Sequence, residues 1–212
     1  MSGNNRIWGK VKHLVIHTTA TPAGRWVSPE DVIRWHTAPR PYGYGWNRVG
    51  YNFLILLNGV LPTVRDLFVD NPNCIVRVLR PINFDEYIQD SELVYHAGPS
   101  YNPISHAICY VGGMSGDFKR PLDTRTEDQI KAMEFIVKYF VEQMTAKNHH
   151  DFTILGHNQI DNKACPSFFV PCWLEEIGIH TRYINYNDPY GYKRYFNNLY
   201  KSKCYGARKN TA

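Results

Sequence analysis

The stretch Val11-Lys-His-Leu-Val-Ile16 decides the fold class, because a short run of aliphatic and β-branched residues is typical of a buried strand. His17 follows directly and lies at the end of that strand. Ile108–Val111 is a second apolar run, and Thr153–Gly156 predicts a last strand that delivers His157. The sequence therefore predicts two histidines at the ends of buried strands.

Two segments between these strands carry helix start signals. Ser28 is a favourable N-cap residue, and Pro29 and two acids follow it, which predicts a helix to about Thr37. Thr126-Glu-Asp-Gln129 fits a capping box, and apolar residues then recur at helical spacing for about five turns. Strands that alternate with helices predict an α/β fold, a central mixed β-sheet flanked by helices.

The segment after residue 50 has the pattern of a β-hairpin. Strand Tyr51–Leu57 would be joined by Asn58-Gly59 to a returning strand, Val60–Arg65. Residues 70–90 contain several turn-like clusters and are interpreted as an irregular excursion, although Cys74–Leu79 could form a short strand.

Length and composition predict one ordinary globular domain. The chain has 212 residues, 43% of them hydrophobic and 20% charged, which excludes disordered and collagen-like classes. The longest apolar run is far shorter than the roughly 20 residues of a membrane-spanning helix. The first ten residues lack the pattern of a secretory signal, so we expect synthesis in the cytoplasm without a signal peptide.

The basic surplus belongs to the C-terminal tail. Net charge is +5, yet seven Lys or Arg and one acid follow residue 179, so the remainder is near neutral. We expect a domain over residues 1–178 and a helical extension over residues 179–212. Tyr192, Tyr195, Phe196 and neighbouring residues recur at helical spacing opposite a basic face. This helix either packs on the domain or binds an anionic envelope surface.

The segment from Gly156 to Phe168 brings a histidine, a lysine and a cysteine close together. His157, Lys163 and Cys165 lie within nine residues, and His17 could supply a further imidazole. Two nitrogens and one sulfur suit Zn²⁺, and a set of three ligands leaves the open position of a catalytic site. A structural role for each histidine remains open on spacing alone.

Six short blocks give this pattern a family context. They are His17-Thr-Thr-Ala-Thr-Pro22, Trp35-His36, Val49-Gly-Tyr-Asn-Phe53, His96-Ala-Gly98, Ile108-Cys-Tyr-Val-Gly-Gly113 and Lys163-Ala-Cys-Pro-Ser-Phe168. In this order they resemble the zinc-dependent N-acetylmuramoyl-L-alanine amidases of the type 2 family, especially the short phage endolysins of the T7 lysozyme type. The peptidoglycan recognition proteins are more distant relatives. The resemblance covers about residues 10–175 and implies a mixed sheet with a zinc cleft.

The resemblance also implies a role for each matching residue. His17, His157 and Cys165 would be the Zn²⁺ ligands, and Tyr51 and Lys163 would be the catalytic tyrosine and lysine. The substrate-binding candidates are His96, which matches a family position facing substrate, and three residues that neighbour the motifs: Thr18, Asn52 and Trp35. The implied reaction is hydrolysis of the amide bond between N-acetylmuramic acid and L-alanine in peptidoglycan.

Two features depart from the family pattern. The stretch between Asp66 and His96 is longer than in the short phage enzymes, and Asn162 stands where a proline often precedes the lysine. We expect the enzyme to remain active despite both changes. We also expect it to be a monomer that causes host lysis after release through a phage holin.

The sequence leaves two other functional classes open. A peptidoglycan recognition module without catalysis is the first alternative, and the presence of Cys165, Tyr51 and Lys163 argues against it. A basic nucleic-acid-binding protein is the second. The near-neutral body makes that class unfavourable, so no nucleic-acid partner is expected.

Overall fold

The computed structural model describes residues 6–200 of the chain, without the side chains of residues 199 and 200. Its strands are β1 (Ile7–Lys10), β2 (His13–Thr18), β3 (Thr21–Pro22), β4 (Phe53–Ile55), β5 (Val76–Val78), β6 (Tyr87–Gln89), β7 (Ser105–Tyr110), β8 (Gly113–Met114) and β9 (Thr153–Gly156). Its α-helices are α1 (Pro29–Thr37), α2 (Glu127–Ala146), α3 (Val170–Glu176) and α4 (Tyr192–Tyr200).

A five-stranded sheet with the order β5-β4-β7-β2-β9 forms the centre of the molecule. β2 runs parallel to both β7 and β9, β4 runs parallel to β7, and β5 is antiparallel to β4. The predicted central mixed sheet flanked by helices is therefore confirmed. All residues of β7 are buried, as expected for a parallel strand that is covered on both faces.

The two predicted helix starts are also confirmed. The Ser28 hydroxyl accepts a hydrogen bond from the backbone N–H of Asp31, and the Asp31 carboxylate accepts one from the Ser28 N–H. Thr126 and Gln129 form the same reciprocal capping box at the start of α2. The Gln129 amide also donates to the carbonyl of Val111, which ties this helix end to the edge of the sheet that carries the candidate site.

The predicted hairpin after Tyr51 is wrong. β4 pairs with β5, and Val60 makes only an isolated bridge, to Cys74. Beyond that bridge the chain forms a short 3₁₀ helix, Val64–Leu67, because the Asp66 carboxylate accepts hydrogen bonds from the N–H and hydroxyl of Thr63. Side-chain capping of this kind competes with strand pairing for the backbone.

Packing continues past the boundary predicted at residue 178. Ile179, Tyr183 and Ile184 are buried in the same hydrophobic core as the sheet, and Ile184 forms a bridge with Ile154 of β9. Phe196 of α4 is also buried, although the segment from residue 201 onward lies outside the described residues. These contacts favour the packing interpretation of the C-terminal helix. Across the described residues, no helix combines the length and apolarity that a membrane crossing requires.

Candidate metal centre and substrate cleft

Strand register brings the two predicted histidine ligands together. Ile16 of β2 pairs with Gly156 of β9, so His17 and His157 follow at adjacent carboxyl ends of parallel strands. Cys165 returns to the same place through a loop whose backbone carbonyl accepts a hydrogen bond from the Asn158 N–H. The metal-binding atoms of the two histidines and the cysteine all lie within 4.8 Å of one another.

The spacing of these atoms fits a zinc ion. His17 Nδ1 and Cys165 Sγ lie 3.6 Å apart. A tetrahedral ion with Zn–N bonds of about 2.0–2.1 Å and a Zn–S bond of about 2.3 Å requires about 3.6 Å between those two ligands. The Thr18 backbone N–H donates to Cys165 Sγ at 3.2 Å and would stabilise a thiolate there.

The electrostatics of the three groups also suit metal binding. Burial lowers the pKa of His157 to about 4 and the pKa of His17 well below its usual value, so both imidazoles are neutral at pH 7. Burial raises the pKa of Cys165 to about 12 in the absence of metal. Zinc binding would therefore release the thiol proton.

The two predicted catalytic residues lie beside this group. The ring centroid of Tyr51 is 5.3 Å from that of His17, and burial raises the pKa of the tyrosine well above its usual value. Its phenol therefore keeps a proton to donate. Lys163 lies at the rim, where its Nζ forms an ion pair with the Asp161 carboxylate at 2.7 Å.

A cavity of about 540 Å³ opens over the metal-binding atoms. Eight of the nine predicted site residues line it: His17, Thr18, Trp35, Tyr51, His96, His157, Lys163 and Cys165. A second cavity of about 400 Å³ shares Trp46, Tyr95, His96, His157 and Lys163 with the first. The two form an extended cleft along the edge of the sheet.

Asn52 does not belong to this lining, contrary to the prediction that it binds substrate. Its side chain is fully buried, donates to the carbonyls of Glu92 and Arg80, and accepts from the Ala107 N–H. These bonds saturate the amide and link β7 to the excursion before it. Asn52 therefore has a structural role in this conformation.

Two other substrate candidates use their polar atoms inside the protein. The Thr18 hydroxyl donates to the Gly112 carbonyl at 2.5 Å, so Thr18 meets the metal-binding group through its backbone N–H. His96 borders the cleft, but its ring nitrogens contact His17 and Ser105. Of the substrate candidates, Trp35 remains as a partly buried aromatic wall.

An aromatic stack that was not predicted from the sequence lies on one side of the cleft. The Trp46 ring lies between Tyr44, at 4.8 Å, and His36, at 5.2 Å, in stacked geometry. Glycines alternate with these aromatics, and a Cβ on Gly43 would come within 2.7 Å of the Arg34 carbonyl in α1. This alternation of glycine and aromatic residues was the signal that a loop packs closely on the helix end.

Comparisons with known proteins identify relatives of this chain. The endolysin of Klebsiella phage KP32 is 25% identical over 81% of this chain and 91% of its own length. Among solved structures, wild-type Drosophila PGRP-LB has a TM-score of 0.51 at 21% identity and covers 84% of this chain and 87% of that one. The Ph2119 endolysin from a Thermus scotoductus bacteriophage has a TM-score of 0.51 at 20% identity, with 84% and 92% covered. These two structural similarities concern the fold. The Amidase_2 family, N-acetylmuramoyl-L-alanine amidase, matches residues 7–168, and the chain therefore belongs to that family.

Proposed function

We propose that the protein is a zinc-dependent peptidoglycan hydrolase that cleaves the amide bond between N-acetylmuramic acid and L-alanine. The observation that carries this proposal is the convergence of His17, His157 and Cys165 at one edge of the sheet, with Tyr51 and Lys163 in the same cleft. Family membership supplies the reaction class, and the three-ligand group supplies a means to perform it.

Each residue has a defined task in this reaction. Zn²⁺, when bound by His17, His157 and Cys165, supplies a Lewis acid that polarises the scissile carbonyl and activates water. The Lys163 ammonium stands at the cleft rim and would stabilise the oxyanion, an interaction worth about 3 kcal/mol for one donor. Tyr51 keeps its proton, so it can donate to that oxyanion or to the leaving amine.

We propose further that this activity serves host lysis. Phage endolysins are among the curated relatives, and the chain covers most of their length. In this proposal the protein reaches the wall through a pore formed by a phage holin and acts as a monomer. The alternative of recognition without cleavage is less favourable, because binding alone requires neither Cys165 nor Lys163.

The product of digestion tests the bond assignment. Purified peptidoglycan treated with the protein should release free stem peptides with an N-terminal L-alanine, and the glycan strands should stay long in mass spectrometry. Cys165→Ser is the matched variant that removes one ligand and should abolish release. Binding to peptidoglycan without release by the zinc-loaded protein would identify a recognition module instead.

We propose separately that the basic C-terminal extension binds an anionic envelope surface. Arg194 and Tyr195 are exposed on α4, whereas Phe196 is buried, so one face of this helix remains available. Replacing Arg194, Lys201 and Lys203 with Gln should weaken binding to vesicles that contain phosphatidylglycerol and leave cleavage of soluble muropeptides unchanged. If the parent and the triple variant bind these vesicles equally, the extension packs on the domain and does not bind the envelope.

A further inference from the structure

We propose that His96 and Ser105 are positioning residues that fix the tautomer of His17, so that its Nδ1 presents a lone pair to the metal. This inference rests on the proposed zinc site and replaces a substrate-binding role for the His96 ring nitrogens. It follows from a chain of hydrogen bonds that ends on one backbone carbonyl.

This chain of hydrogen bonds consists of three short contacts. His17 Nε2 lies 2.9 Å from His96 Nδ1, and His96 Nε2 lies 2.9 Å from Ser105 Oγ. The Ser105 hydroxyl donates to the carbonyl of Tyr101 at 2.7 Å. His17, His96 and Ser105 are each at most 9% exposed, so water does not readily replace these bonds.

The carbonyl at the end determines the position of every proton. A carbonyl oxygen only accepts, so the single Ser105 proton points to Tyr101. Ser105 Oγ must then accept from His96, which places a proton on His96 Nε2. The neutral His96 ring has an acceptor at Nδ1, so the proton of its contact with His17 belongs to His17 Nε2.

A neutral His96 is the form that this environment favours. A buried imidazolium without a carboxylate partner is costly, and no described carboxylate forms an ion pair with His96. With its proton on Nε2, neutral His17 has its lone pair on Nδ1, the atom that faces Cys165 Sγ. The opposite tautomer would direct an N–H toward the ion and block coordination.

A hydrogen bond of the same kind elsewhere in the sheet provides a matched control. His13 Nδ1 lies 3.1 Å from Thr153 Oγ1, and His13 pairs with Ser105 in the register of β2 and β7. His13 is at the opposite end of β2 from His17. Thr153→Val therefore removes a histidine–hydroxyl contact in the same sheet and leaves intact the hydrogen bonds that connect Ser105 and His96 to His17.

The first test needs no variant. Long-range ¹⁵N–¹H NMR spectra of the metal-free protein report which ring nitrogen of each histidine carries the proton. We expect Nε2–H for both His17 and His96. A proton on His17 Nδ1 would overturn the inference directly.

The second test measures zinc affinity by competition with a chromophoric chelator. Ser105→Ala and His96→Phe should weaken binding by about 10–100-fold, the usual cost of losing an outer-shell partner. His96→Asn, whose Oδ1 can accept from His17, should recover part of this loss, and Thr153→Val should bind as the parent does. Unchanged affinity in folded Ser105→Ala would contradict the inference. Tight zinc binding without amidase activity in the parent would contradict the proposed function alone.

Discussion

At the residue scale, the proposed mechanism depends on two side chains in different surroundings, Tyr51 and Lys163. Tyr51 contacts the rings of His17 and His36, and burial raises the pKa of its phenol, which stays protonated at neutral pH. Lys163 is more exposed and reaches the same cleft from its rim. In the proposed mechanism the two residues are separate donors to one substrate site, and they can be tested separately.

Tyr51→Phe removes the donor and keeps the ring. We expect kcat to fall by about 100-fold or more, because the oxyanion or the leaving amine loses its proton donor. Zinc content should stay at the parental value, since Tyr51 is not one of the three candidate ligands. Kinetics with a soluble muropeptide, together with metal analysis, check both statements. Parental kcat in Tyr51→Phe would remove the tyrosine from the mechanism.

Lys163→Met keeps a side chain of similar length without the charge. A fall of about 100-fold in kcat is expected from the loss of one oxyanion donor. Lys163→Arg, which keeps a positive charge, should lose less. Equal kcat in the Met variant and the parent would show that the ammonium contributes nothing to the transition state.

The sequence predicts the positions of some cleft residues better than others. The convergence of the three candidate ligands was predictable, because His17 and His157 directly follow apolar strand runs and the loop that carries Cys165 matches a family motif. Asn52 was assigned to substrate because it adjoins Tyr51, yet its side chain turns into the body and binds backbone groups. Adjacency along the chain does not place two side chains on the same side of it.

At the element scale, the strands also differ in how well the sequence predicts them. β2 and β7 were predictable, since buried parallel strands appear as continuous apolar runs. The pairing of β4 was not, because Asn58-Gly59 is a local hairpin signal and the true partner lies beyond Asp66. The hydrogen bonds that Asp66 makes with Thr63 and Asn71 decide the path there, and spacing alone does not reveal them.

His106 on β7 provides a stability prediction at this scale. Burial lowers the pKa of His106 to about 3, and neither ring nitrogen has a hydrogen-bond partner among the described residues. A leucine there would bury no unsatisfied nitrogen. We expect His106→Leu to raise the free energy of unfolding at pH 7 by about 1 kcal/mol or more. Urea denaturation measures this change, and a lower free energy of unfolding in His106→Leu than in the parent would contradict this account of His106.

The same residue predicts a pH dependence. The pKa of His106 is lower in the folded state than the usual 6.5, so only the unfolded chain takes up this proton as pH falls. Stability from the neutral ring is complete above about pH 6.5 and is lost as pH falls from there toward about 3. Between pH 7 and pH 5, His106→Leu should therefore lose less stability than the parent, by up to about 2 kcal/mol. Parallel curves for the two proteins would contradict this.

At the scale of the whole molecule, the C-terminal segment supports the loop that carries the site. The Gln159 amide donates to the carbonyls of Asn185 and Asn187, and the Tyr192 hydroxyl lies 3.3 Å from Asn162 Oδ1. The loop from His157 to Cys165 is thus held between the sheet and the chain that follows α3. None of these three contacts could be predicted from the sequence, because each joins residues that are distant along the chain.

Zinc should also stabilise the whole fold, because it joins β2 to the loop that follows β9. A ligand that binds only the native state adds about 4 kcal/mol at a thousandfold excess over its Kd. We expect chelation to lower Tm and added zinc to restore it, with no such response in Cys165→Ser. Calorimetry at a fixed protein concentration measures this, and an equal Tm with and without zinc would contradict native-state binding.

The most direct test of the zinc amidase assignment is a zinc titration of the metal-free protein, with release of stem peptides from peptidoglycan as the readout. The account predicts no release at the start, a linear rise, and a plateau at one zinc per chain. Full release by protein shown to be free of metal would contradict it.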